Sequence, residues 1–75
     1  MLDDPRRRLT PGSYRAMVVE KRWTGDGDCS EVVYTLPGCG DWRYAIRSYD
    51  PRVEQRFLNN AASEGWFEFV VKGQV

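Results

Sequence analysis

Seventy-five residues, 41% hydrophobic and 13% aromatic, make one domain with a real but small core and exclude a disordered chain. Eleven Lys and Arg balance eleven Asp and Glu, for a formal net charge of zero. That balance excludes a strongly basic nucleic-acid binder and mildly favours association.

Residues 1–11 read as a flexible polar arm, with two acids, three arginines and prolines at positions 5 and 11. The rest, 12–75, reads as a single α+β domain. Residues 14–23, with Ala16, Met17, Val18 and Val19 at their centre, form the first expected strand. Two glycines and two aspartates between Thr24 and Asp28 mark a turn. The second strand, 31–36, alternates Val32, Tyr34 and Leu36 on one face. After a second turn around Gly38 and Gly40, strand 42–49 places Trp42, Tyr44 and Ile46 on one side and Arg43 and Arg47 on the other. Asp50 and Pro51 suit the cap and first position of a helix. Val53, Phe57, Leu58, Ala61 and Ala62 recur at helical spacing, and Gly65 suits a left-handed stop. The last strand, 66–72, sets Phe67, Phe69 and Val71 towards the core. The expected fold is β-β-β-α-β, a mainly antiparallel four-stranded sheet with one helix packed on one face.

One helix covers one face of such a sheet, and the uncovered face of an antiparallel sheet is ordinarily polar. Here it mixes aromatics, aliphatics and arginines, a composition enriched at protein interfaces. Trp23, Arg43, Arg47, Tyr49 and Trp66 are the expected anchors for a partner on that face. The plainer alternative is that the arm folds over it. Nine of the eleven basic residues are arginine, which fits a GC-rich coding genome or planar, bidentate recognition equally well.

No catalytic constellation emerges. Without histidine, Ser-His and Cys-His pairs and His-based metal sites are excluded. The acids fall in loops and on helix faces, so no enzyme activity, metal or cofactor is expected. The acidic run from Asp26 to Glu31 is too short for a calcium loop of about twelve residues. Cys29 and Cys39 flank the second strand, too far apart for a disulfide, and are expected as free thiols. Arg6, Arg7 and Arg8 are the residues that a nucleic-acid-binding alternative would use, together with the sheet. A third reading makes the open face a homodimer interface in an assembly element. With neither a membrane-length apolar run nor a signal-like apolar segment near the start, a cytoplasmic protein is expected.

The stretch 57–70, from Phe57 and Leu58 through Asn59, Asn60, Glu64, Gly65 and Trp66 to Val70, resembles the C-terminal signature of a family of small uncharacterised bacterial and phage domains. That signature is a leucine-asparagine helix, then Glu-Gly-Trp-Glu, then a strand; here Phe67 stands between Trp66 and Glu68. The resemblance implies the fold and no activity. In size and style the chain is also similar to small phage-encoded inhibitors, single α+β domains that occlude a surface of a host complex such as a polymerase or a CRISPR effector. The function expected first is therefore non-enzymatic protein binding.

Overall fold

The computed structural model describes residues 3–73, so Met1, Leu2, Gln74 and Val75 of the expected arm and domain lie outside the described residues. Four strands, β1 (Gly12–Trp23), β2 (Cys29–Thr35), β3 (Tyr44–Arg47) and β4 (Trp66–Val71), form one antiparallel sheet in the order β3-β2-β1-β4. The helix α1 (Gln55–Glu64) follows β3 and packs on one face. The α+β architecture and element order are those the residue pattern predicts. β3 is shorter than expected: Trp42 and Arg43 precede it, and the Ser48 N–H makes a last bond to the Ser30 carbonyl at 2.9 Å as the chain turns.

The helix side of the sheet is built from Ala16, Val32, Tyr34, Tyr44 and Phe67, all buried. Pairing matches them: Ala16 faces Phe67, and Tyr34 faces Tyr44 and Val18. Between Val18 and Glu20 the register of β1 against β2 shifts by one residue, leaving Val19 as the extra residue of a bulge. Because side chains alternate with a period of two, the bulge reverses the faces of everything beyond it. Lys21, polar and near the end of an apolar strand, is thereby turned to the helix side. Its ammonium donates to the Ala62 carbonyl at 2.9 Å, placing a cation at the helix C-terminus.

The helix itself starts later than Asp50 and Pro51 suggest. The Asp50 carboxylate accepts from the Arg52 N–H at 3.0 Å, and the Val53 N–H donates to the Asp50 carbonyl at 3.0 Å. Asp50 thus closes a separate turn ahead of α1. The preceding residue, Glu54, is extended and makes no side-chain cap. Two helical amides hold this end instead: Asn59 Oδ1 accepts from the Cys29 N–H at 2.7 Å, and Gln55 Nε2 donates to the Cys29 carbonyl at 2.6 Å. Leu58, Ala61 and Ala62 are the buried stripe. The far end stops at Gly65, whose φ of 83° is left-handed and whose N–H donates to the Ala61 carbonyl.

Residues of the expected arm make specific contacts with the domain. Pro5–Arg8 form a 3-10 turn capped by the Asp4 side chain, which accepts from the Arg6 N–H at 2.9 Å. Asp4 also pairs with the Arg6 guanidinium at 2.8 Å and accepts from the Tyr44 hydroxyl at 2.8 Å. Arg6 lies 4.0 Å over the Tyr44 ring and donates to the Tyr34 hydroxyl. Leu9 packs on the cluster of Tyr34, Leu36, Cys39 and Tyr44. The arm therefore covers the helix side of the sheet, not the open face. Cys29 and Cys39 are free and buried, the first under α1 and the second beside the arm.

Two predictions follow from this packing. Leu58 is fully buried, so Leu58→Ala is expected to lower the unfolding free energy by about 3 kcal/mol, measured by urea denaturation. The Arg6 side chain and backbone hydrogen bonds hold the Asp4 carboxyl well below its ordinary 3.8. A carboxylate depressed in the folded state stabilises at pH values above its unfolded pKa and loses that contribution as pH falls through the folded one. Asp4→Asn is therefore expected to lower Tm at neutral pH, with the gap to the parent closing only in strong acid. A gap independent of pH would remove the charge from the explanation.

Candidate protein-binding face

The register defines the open face, since directly paired residues point the same way. From β4 to β3 it carries Val70, Glu68 and Trp66; then Arg15, Met17, Val19 and Glu20; then Glu31, Val33 and Thr35; then Ala45 and Arg47. Met17, Val19, Trp66 and Val70 are 46, 43, 38 and 54% exposed. Met17, Val19 and Trp66 form an apolar patch towards the β1–β4 side of the sheet, and Val70 stands apart from it beyond Glu68 and Arg15. Trp66 pairs with Met17, and the Arg15 guanidinium lies 4.2 Å over the Trp66 ring.

Charges surround the patch in opposite-sign pairs. Arg47 Nε donates to Glu31 at 2.6 Å, Arg22 reaches the same carboxylate at 3.6 Å, and Arg43 lies 3.8 Å from Glu20. The hydrogen bond that Arg47 donates to Glu31 raises the Arg47 pKa above its usual value. Glu31 meets Arg22 and Arg47 as direct cross-strand partners, and Arg43, just before β3, reaches Glu20 on β1.

The five anchors expected from the sequence do not form one cluster. Trp66 belongs to the patch. Arg43 and Arg47 lie at the opposite edge, already paired with acids. Tyr49, 78% exposed, borders a separate cleft of about 370 Å³ between β3 and the start of α1, closed by Val53 and Phe57. Trp23 pairs with Cys29, which is buried under the helix, so the reversal introduced at Val19 turns it away from the open face. Met17 and Val19 take its place, and the apolar run of β1 was the available signal.

Arg6 is occupied by Asp4, Tyr34 and Tyr44, while Arg7 and Arg8 are exposed. Arg6 and Leu9 pack on the helix side, and Arg7 lines a cavity with Pro11, Val71 and Lys72. Among the described residues, no three or more His, Cys, Asp or Glu are grouped to hold a metal ion, and no helix is long and apolar enough to cross a membrane.

No family model matches the chain, and neither a curated protein nor a solved structure matches it. The likeness of residues 57–70 to a bacterial and phage domain family gains no support from these comparisons.

The ion pairs imply a measurable masking effect. The Glu20→Gln, Glu31→Gln double variant is expected to gain salt-sensitive retention of duplex DNA that the parent lacks, read by fluorescence anisotropy. Equal binding by both proteins would show that the carboxylates mask nothing.

Proposed function

We propose that the chain is a non-enzymatic protein-binding domain that docks a partner protein on the open face of its sheet. The observation that carries this reading is the exposed patch of Met17, Val19 and Trp66, with the Arg15 guanidinium stacked on Trp66, beside three arginines, Arg22, Arg43 and Arg47, that are already paired with acids. Apolar anchors within a polar, charge-balanced surround suit a protein surface. A phosphate backbone asks for unpaired cations along a track, and here Arg22, Arg43 and Arg47 all have carboxylate neighbours. Arg6 of the arm packs on the helix side. Nucleic-acid binding is accordingly the weaker reading.

Occluding a surface of a host complex, as small phage-encoded inhibitors do, is one use of such a face, and its support is limited to size and architecture. Free, buried thiols fit a reducing compartment such as the cytoplasm.

Photo-crosslinking tests the proposal. A photoreactive residue at Val19, and a control at the exposed Arg56 on the helix, are introduced separately and irradiated in a nuclease-treated lysate. A discrete protein adduct from position 19, absent from position 56 and reduced about tenfold by Met17→Ser with Trp66→Ala, is the expected result. Equal adducts from both positions, or adducts with nucleic acid alone before nuclease treatment, would overturn it. Both substitutions are at half-exposed positions, and a thermal melt checks that the fold survives.

A further inference from the structure

The two outer strands of the sheet are protected very differently. β3 is four residues long, is flanked by Arg43 and Arg47, and gives way at once to turns. Short, charge-flanked edges of this kind resist pairing with another chain. β4 is longer and less guarded, with Glu68 within it and Lys72 just after it. Its six residues, Trp66 to Val71, include one charge and no proline, and its register with β1 runs without a shift.

The free hydrogen-bonding groups of β4 can be assigned. The Val18 N–H donates to the Gly65 carbonyl at 2.9 Å. Bonded and non-bonded pairs alternate along an antiparallel ladder. With the register given, the pairs Ala16 with Phe67, Tyr14 with Phe69 and Gly12 with Val71 exchange bonds with β1. The N–H and C=O groups of Trp66, Glu68 and Val70 then point outward along the edge.

We propose that two copies of this chain pair antiparallel through these β4 edges, with Val70 opposite its own counterpart on the two-fold axis. Charge selects that register. Centring the axis on Glu68 would set two carboxylates directly opposite each other, which is destabilising. Shifting it one step puts Glu68 against the apolar Val70. Centring it on Val70 brings the 54% exposed valines together and sets Glu68 opposite the second copy's Lys72 at both ends. Glu68 and Lys72 are both exposed, and among the described residues neither has an ion-pair partner.

The axis relating two antiparallel edge strands runs perpendicular to the sheet. It joins the two four-stranded sheets into one, with both helices on one side and both open faces on the other. The assembly presents two copies of the Met17, Val19 and Trp66 patch side by side. Edge and open face are separate surfaces, so this pairing stands or falls independently of what docks on the face.

Sedimentation velocity over roughly 10 μM to 1 mM tests it, a range suited to an interface built from one strand pair. The expected result is a concentration-dependent equilibrium between 8.7 kDa and twice that mass. Glu68→Lys and Lys72→Glu should each weaken it by about tenfold, and the two together should restore it. All three variants change exposed side chains, and thermal melts confirm folding. A monomer throughout the range overturns the proposal. So does a dimer indifferent to both reversals, or one abolished by Met17→Asp while the charge reversals leave it intact.

Discussion

A helix too short for its sheet governs this structure. The ten residues of α1 span about 15 Å, whereas twelve-residue β1 sets a long axis of 40 Å. Left alone, α1 would cover the end of the sheet near Val32 and Lys21 and reach as far as Phe67, through Phe57 and Ala61. The other end carries Tyr34, Tyr44 and Phe69, whose exposure would remove most of the core. The arm and the loop bearing Leu36 and Cys39 close it. Tyr34 is where the pieces meet: its ring contacts Phe67 edge-on at 4.9 Å and Tyr44 at 5.4 Å, and its hydroxyl accepts from Arg6. Burial raises the Tyr34 and Tyr44 pKa values, and both phenols stay neutral beside the arm. Asp4 and Arg6 thereby serve the core although they belong to the most polar stretch of the chain.

The same economy leaves the opposite face unoccupied. None of the described elements lies across it, so its apolar side chains are shielded by one another and by neighbouring charges. Exposed ion pairs contribute little to stability. Their effect here is to deny the face a net sign. A surface with apolar centres and balanced charge discriminates by shape and by the pairing of individual charges, which is how specific protein contacts are told from general attraction to polyanions.

Regular alternation made much of this legible in advance. Val32, Tyr34, Tyr44, Phe67 and the stripe of Leu58, Ala61 and Ala62 take their positions from period alone, and Gly65 from its freedom to adopt positive φ. What escaped were departures from regularity. The Val19 bulge leaves no mark in composition, since Val is as good a strand residue in a bulge as beside one, and it reassigns both Lys21 and Trp23. Asp50 followed by Pro51 opens a turn as readily as a helix, and only the amides of Gln55 and Asn59 reaching Cys29 decide where α1 begins. Strand order was hidden for a similar reason. It depends on how the connection through α1 brings β4 beside β1. The five expected anchors fall in different places because they were chosen by residue type, while register decides which side chains are neighbours.

Cys29 and Cys39 lie in different halves of this core, one sealed by the helix and one by the arm and its loop. Neither thiol meets solvent unless its own cover lifts. Each is thus a native reporter of one local opening: a small thiol reagent would react at Cys39 at the rate the arm end breathes, and at Cys29 at the rate the helix end does. A domain closed by two independent lids carries, without any added label, a separate clock for each.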